Sequence, residues 1–588
     1  MNRLKYLLFG LPLVFMGCTG GDGSSSKKRI AKGDKAVYGG TFQVAESESH
    51  QTLFPQHVVD VTTWHIVSQV YEGLVKFDVK NLEVVPALAE KWSLDDSQTE
   101  YTFVLRDNAK FHDDACFSGG KGRIVTSEDF KFAFELLCSN TPDNVYYKST
   151  FKNVVEGADD FFDGKSNSVS GIKVVDNKTL KIKLIQPSAS FIQILAGPYC
   201  AVFPREAYDK HGSNLTVGTG PFRITENSDK NDRFILVYNP NYYLSDENGN
   251  AYPYLDSIVF NFIPTKLAEL EEFRKENISL IYGLPSSKVT EVVKEDLTNF
   301  SSKPPKKVLL REQEMVSQFY EFNLTRPPFD NALVRKAFCH AVNRQKILDD
   351  ILNGQGTPGN YGITPKIRSF KNYNFDTIPS YEYNPELARK LLAEAGYADG
   401  KGFPQVHLEI NSGGATYSRV ASEIQQQLFN NLNVNVEIVT VPLKEKIESA
   451  SYGRSEFYRS SWTADYPSPA TFLRLFYGGD IPETLDKPSY PNISRYKNPI
   501  FDSLYVKAEM TLDENERLRL LSLAERQMML DAPLIVLWYG ENYKMYYSNV
   551  RGFHDNPMSY YDFTKIYLKD LSMEEYEAIQ KGSQQASK

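Results

Sequence analysis

The residues best placed for chemistry lie in Tyr458-Arg459-Ser460-Ser461-Trp462-Thr463-Ala464-Asp465-Tyr466-Pro467. Asp465 stands among Trp462, Ala464 and Tyr466, just before a proline-rich turn. That setting places its carboxylate at the end of a strand and partly out of water. A carboxylate there needs a cation or hydrogen-bond donors, because an unpaired buried charge is expensive. A local arginine and the amides of the following turn are the nearest candidates. Arg459, six residues earlier, carries a planar guanidinium fork that suits a carboxylate; a surface arginine is the competing reading. Other chemistries find little support. The eight His show no H-x-x-x-H or H-x-H spacing. Asp246-Glu247-Asn248-Gly249-Asn250 alternates like a calcium loop, but its twelfth position is Ser257 rather than Glu, so a solvated hairpin loop is expected. No glycine-rich loop has phosphate-binding spacing, and no G-x-S-x-G elbow appears. Neither a metal nor a cofactor is expected.

Several segments announce the elements that must hold these side chains. Tyr38–Ala45 reads as a first strand, and Tyr101-Thr102-Phe103-Val104-Leu105 alternates as a half-buried strand. Thr126-Ser127-Glu128-Asp129 starts a helix with Phe130, Phe134 and Leu137 inward. Asn384-Pro385-Glu386 starts another, with Leu387, Leu391, Leu392 and Ala395 buried and Gly396 as its stop. Val406–Ile410, Tyr417–Leu432 and Val434–Ile438 read as strand, helix, strand, a βαβ unit that requires a parallel pair. The fold class is therefore α/β and multi-lobed.

The chain has 588 residues, a formal net charge of −8, 36 Gly and 30 Pro. Ordinary Gly and Pro usage excludes collagen-like and globally disordered readings. The acidic balance argues against a nucleic-acid partner, whose phosphates need a basic face. Arg3 and Lys5 precede an apolar run from Leu7 to Met16, too short to span a bilayer but right for a signal segment. Phe15-Met16-Gly17-Cys18 resembles the bacterial lipobox, although Phe15 and Met16 depart from the commoner residues; an ordinary secretory signal with a chance Cys18 is the alternative. The resemblance implies removal of residues 1–17, lipidation of Cys18 and a tether over Gly20–Lys35. Export makes a disulfide between Cys116 and Cys138 the expectation, with free thiols the alternative. Cys200 and Cys339, in apolar sequence, read as buried thiols.

Four separated groups of residues carry a family resemblance. The first is Leu88-Ala89-Glu90-Lys91-Trp92 with Tyr101–Asp107 and Lys110-Phe111-His112-Asp113. The second is Gly218-Thr219-Gly220-Pro221-Phe222 with Asn239-Pro240-Asn241-Tyr242-Tyr243. The third is Phe322-Asn323, Pro328-Phe329-Asp330 and Val334–Phe338, and the fourth is Trp462–Tyr466. In that order they resemble the peptide/nickel-type solute-binding proteins of bacterial ABC importers, the oligopeptide-binding branch in particular, over residues 37 to 570. The resemblance implies a two-lobed type II periplasmic-binding-protein fold with a hinge and a subdomain inserted in the N-terminal lobe. By motif position, lobe I covers 37–60, 199–316 and 538–572, the insert 61–198, and lobe II 317–537, with a tail over 573–588. It also implies a monomeric, non-enzymatic receptor held outside the cytoplasm by lipidated Cys18, working with permease subunits. The ligand is a peptide, with an oligosaccharide or other solute as the alternative and an exported hydrolase as a different class. Asp465 would take the peptide's α-ammonium and Arg459 a short peptide's carboxylate. Ser461, Trp462 and Thr463 would form the strand that pairs with the peptide, with Trp462 lining a pocket or packing in the core. Pro55–Val61 would present a ligand-pairing segment from lobe I, with Val59 and Val61 binding the ligand beside an Asp60 that replaces a commonly small residue. Tyr282 is expected in the cleft or in the core.

Overall fold

Helices form where the start signals are strongest. Asn384 accepts the amide of Leu387, Pro385 occupies the first turn, and helix Pro385–Glu394 buries Ala388 and Leu392. Gly396 then turns the chain at φ +98°. The Asp129 carboxylate accepts the amide of Thr126 at 2.8 Å, starting helix Ser127–Leu137 with Phe130, Phe134 and Leu137 buried. These elements belong to a computed structural model that describes residues 29–586, apart from 34–35, 142–143, 231, 296, 368–369, 371 and 413. The signal segment and Cys18 lie outside the described residues.

The main sheet has eleven strands. From one edge, ten run in the order Val436–Val441, Val406–Asn411, Phe457–Thr463, Lys307–Phe322, Leu534–Tyr547, Leu280–Tyr282, Thr41–Glu46, Ser257–Phe262, Arg233–Tyr238 and Phe222–Lys230. Short strand Thr357–Pro358 pairs with Leu534–Tyr547 off this path. Val406 pairs in parallel with Val436, and helix Ala415–Leu432 lies between the two strands in sequence, as the βαβ pattern requires. Lys307–Phe322 and Leu534–Tyr547 run antiparallel through both halves of the sheet, and their register shifts between Gln313 and Ser317. One half forms lobe I and the other lobe II. A separate four-stranded sheet joins Ala89–Leu94, Glu100–Leu105, Thr179–Lys183 and Ile172–Asp176 in the insert. No helix among the described residues is long and apolar enough to cross a membrane.

The two pieces of the second sequence group converge on one buried carboxylate. Glu72 accepts the hydroxyls of Tyr242 and Tyr243, both at 2.9 Å, and of Thr219 at 3.0 Å. Burial pushes its carboxyl up, and these donors together with nearby Lys76 oppose the shift. The glycines of Gly218-Thr219-Gly220 are required by contact: a Cβ on Gly218 would lie 2.0 Å from the Val70 carbonyl oxygen. His112 is buried against the same loop, with Nε2 donating to Gly220 O and Nδ1 accepting from Gly218 N. That neutral tautomer fits a ring whose pKa burial lowers to about 4.

Three expectations change. Helix Val61–Val67, placed in the insert by motif position, is bonded to lobe I, because His65 meets Glu46 at 2.7 Å and Gln69 bonds both Tyr561 O and Phe563 N. Residues 29–33, expected in a tether, are docked on lobe I through Arg29 and Lys32. Cys116 and Cys138 are free. Cys138 is sealed at the end of helix Ser127–Leu137, whereas Cys116 sits in a loop turned by its own amide bond to Asp114 Oδ1. Cys200 and Cys339 are buried thiols as expected.

The intact mass of the native protein is therefore unchanged by reduction; a gain of about 2 Da would restore the bridge. Gly218→Ala, which drives a methyl into the Val70 carbonyl, lowers stability by about 2 kcal/mol or more, read as a reduced urea midpoint.

Candidate functional site

The strand Phe457–Thr463 is paired on one edge only over most of its length. Lys307–Phe322 follows it from Thr463 back to Phe457. On the other edge Val406–Asn411 meets it only at Phe457 and Tyr458. Among the described residues, the second edge over Arg459–Thr463 has no strand partner; the Arg459 carbonyl there accepts Lys446 Nζ at 2.7 Å. Such an edge can accept an extended backbone.

Alternation aims Arg459, Ser461 and Thr463 to one face, with Tyr320, Gln318 and Val316 opposite them on the neighbouring strand. Ser461 is exposed, Thr463 half-buried and Arg459 buried. Arg459 is therefore no surface residue. Its Nη1 donates to Asn411 Oδ1 and its Nη2 to Gln318 Oε1, both at 2.9 Å. The Tyr417 ring lies 3.7 Å beneath the guanidinium. Burial holds its pKa below the usual arginine value. No carboxylate forms an ion pair with it among the described residues.

Asp465 lies two residues beyond the strand and is half-buried. The Thr471 hydroxyl donates to Asp465 Oδ2 at 3.1 Å, and it accepts the Asp465 amide and Trp462 Nε1, each at 3.3 Å. Two incoming N–H groups leave the single hydroxyl hydrogen to point at the carboxylate. Trp462 thus packs partly against the core and, through Thr471, orients Asp465. No cation pairs with Asp465 among the described residues. Desolvation raises its carboxyl to about 6, opposed by Thr471.

The wall facing Asp465 is aromatic. Tyr146 and Tyr199 stack at 4.3 Å, and the Asp465 charge adds to burial in raising the hydroxyls of Tyr146, Tyr199 and Tyr490. Tyr146 also feels Asp60, so it stands between the two sides, and its hydroxyl donates to Val58 O. Val59 is 65% exposed and Val61 43% exposed. Asp60 caps the helix that Val61 begins, through Thr63, which accounts for an acid at that place.

Tyr282 is not brought to Asp465. It stacks on Tyr561 at 5.0 Å and leans on His65 within lobe I, with its hydroxyl buried. Tyr146, Tyr199, Tyr490, Thr471, Asn411, Gln318 and Tyr417 were not singled out from sequence. They come from separate loops and strands, and only the fold groups them. No group of three metal-ligating side chains occurs among the described residues, and Asp246 spends its oxygens on Asn248, Asn250 and Tyr254.

The lobes touch beside this site. Ser190 Oγ donates to Glu509 Oε1 at 3.0 Å, Ala189 N to Glu509 O at 2.7 Å, and Arg474 Nη2 to Lys148 O at 3.3 Å. The paired lobes, shared strands and intervening site define a solute-binding receptor. Residues 83–483 match the model of the bacterial extracellular solute-binding proteins, family 5 middle region, and the chain belongs to that family. It is 26% identical to the dipeptide-binding protein DppE of Bacillus subtilis, covering 96% of this chain and 99% of that protein. It is also 26% identical to the periplasmic oligopeptide-binding protein OppA of Salmonella typhimurium, over 89% and 90% of the two chains. A periplasmic oligopeptide-binding protein of Borrelia burgdorferi superposes with a TM-score of 0.74 at 26% identity, covering 90% of this chain and all of that one. The fold is the type II periplasmic-binding-protein fold, as the sequence resemblance implied.

The raised carboxyl of Asp465 makes a stability prediction. The folded group titrates near 6 and the unfolded group near 3.8, so the folded state holds the extra proton between those values. Stability falls as pH rises through that window, and the full penalty stands above it. Without ligand at pH 7.5, Asp465→Asn is more stable than wild type by roughly 1–2 kcal/mol, with the difference vanishing near pH 4. Urea titrations at both pH values test this.

Proposed function

We propose that this protein is the capture subunit of an ABC importer, held outside the cytoplasm by a lipidated Cys18, and that its ligands are short peptides. One observation carries the reading. A cleft strand with an unpaired edge has an anion without a cation at one end, Asp465, and a cation without an anion at the other, Arg459. Extended chain runs from Arg459 to Thr463, about 13 Å, and Asp465 follows two residues past the end of the strand. A zwitterion in extended conformation matches that pattern. Its ammonium meets Asp465, its backbone adds to the Arg459–Thr463 edge, and its carboxylate meets Arg459. Main-chain pairing reads no side chains, so it favours a broad range of sequences. Val59 and Val61 supply an apolar border from lobe I, and Tyr146, Tyr199 and Tyr490 close the ammonium end. Tyr282, stacked on Tyr561 and His65, takes the core reading rather than a ligand contact. The receptor acts as a monomer that delivers the ligand to permease subunits, with ligand contacts to both lobes favouring closure.

The Asp465–ammonium pair is testable from both sides. Removing one partner of a desolvated pair costs roughly 2–5 kcal/mol, so Asp465→Ala weakens peptide binding about 30-fold or more. N-acetylation of the peptide does the same to wild type, and the two changes together add little, because either alone breaks the pair. Arg459→Ala weakens short peptides more than long ones. Binding also depends on pH, since the ammonium requires an ionised Asp465: affinity is full above about 6 and falls as pH drops through that value. Isothermal titration with free and acetylated peptides reads all of these. Equal affinity for both forms would move the ligand to a sugar or another non-peptide solute, and recovery of cleaved ligand would point to a hydrolase.

The anchor is tested separately. Cys18→Ser leaves a folded protein that no longer fractionates with membranes; unchanged membrane association would remove the lipid from the proposal.

A further inference from the structure

Arg29 is held on lobe I as firmly as a core residue. Its guanidinium carbon lies 4.5 Å from the Tyr38 ring centroid and 4.0 Å from that of Tyr238. Nη1 donates to Pro253 O at 2.8 Å, and Nη2 donates to Tyr254 O at 3.1 Å, Leu255 O at 3.0 Å and Asp256 Oδ1 at 2.8 Å. The side chain is only 24% exposed. Three residues on, the Lys32 amide donates to Asn250 Oδ1 at 2.7 Å, and Asn250 Nδ2 returns a bond to Lys32 O at 3.0 Å. Asn250 is itself braced by Asp246, through its amide and its Nδ2, both at 2.8 Å. The Asp246–Asn250 loop, whose spacing imitates a cation loop, is thus built around a segment of its own chain.

We propose that Arg29–Gly33 is a docked strap that fixes, at the Asp246–Asp256 corner of lobe I, the point where the chain departs for its N-terminal anchor, and so presents that corner to a lipid surface. The membrane half of this inference rests on the Cys18 anchoring proposed above; the docking does not. A tether running undocked to residue 37 would put 19 Cα–Cα steps between Cys18 and the body, a reach of about 65 Å. Departure at Arg29 leaves eleven, which span no more than about 40 Å whatever their path. A bidentate, ring-stacked arginine suits this duty, because a stacked guanidinium keeps its donors aimed where a flexible ammonium would not.

Limited trypsin digestion tests the strap on the full chain extracted in mild detergent, with new N-termini read by mass spectrometry. Cleavage after Arg29 and after Lys32 is at least tenfold slower in wild type than in a Tyr238→Ala/Asp256→Asn variant. Arg29→Ala, a milder change, speeds cleavage after Lys32 by a similar factor. Equal rates in wild type and variants, fast or slow, overturn the strap. The digestion is repeated on Cys18→Ser protein. An unchanged pattern in protein released from membranes supports both halves, whereas an unchanged pattern in protein still membrane-bound sinks the anchor and leaves the strap standing.

Discussion

Two long strands hold the two lobes in one molecule. Lys307–Phe322 and Leu534–Tyr547 each begin in one lobe and end in the other, so the cleft strand on one side and the lobe I sheet on the other are registered against the same pair. The register breaks between Gln313 and Ser317. Lys544, paired with Leu310 just before that break and almost fully buried, sits 2.6 Å from Asp555 and 3.9 Å from Glu314, which lies within it. A buried cation needs such company, and losing one partner of the set is costly. Gly540 lies beside the same break, where a Cβ would come within 3.0 Å of Val316. A second register shift follows between Gln318 and Phe319, so the pairing of the two long strands is interrupted twice within a few residues.

Against this fixed frame, the cleft carries charges the fold does not neutralise. Asp465 receives one hydroxyl and Arg459 two side-chain amide oxygens and a ring, enough to orient each group but not to cancel its charge. Glu72 shows the contrast within the same chain. Three hydroxyls fill its oxygens, and it ties Thr219 to Tyr242 and Tyr243, some twenty residues apart, in one structural knot. A saturated carboxylate holds a fold together; an undersupplied one, oriented and half-buried, keeps free energy in reserve for a partner.

Much of this was legible in the chain. The βαβ unit, the capped helices and the strand at Glu100–Leu105 follow from periodicity and local caps, which act over a few residues. The setting of Asp465 was legible for the same reason, since Trp462 and its neighbours lie within one strand. What escaped was assembled over distance. Tyr146, Tyr199 and Tyr490 meet near one carboxylate from three loops, and nothing local marks them. Tyr282, expected in the cleft or in the core, is covered by the ring of Tyr561, nearly three hundred residues on. Cys116 and Cys138 are close in sequence, yet a buried helix end and a separately turned loop keep them apart. Arg29 read as tether because its hydrogen-bond partners lie more than two hundred residues away.

The contacts that bridge the lobes also set a clock. Glu509 accepts both the Ala189 amide and the Ser190 hydroxyl, and Arg474 reaches the Lys148 carbonyl, none of which is a ligand contact in the proposed site. If the proposed ligand is enclosed between the lobes, it leaves only after these bonds part, and its residence time then has a floor set by the protein and shared by every ligand. Weak and strong ligands then differ chiefly in how long they hold the closed form beyond that floor. A permease that pries these few bonds apart would discharge all cargoes at a similar rate, as the proposed main-chain recognition would require.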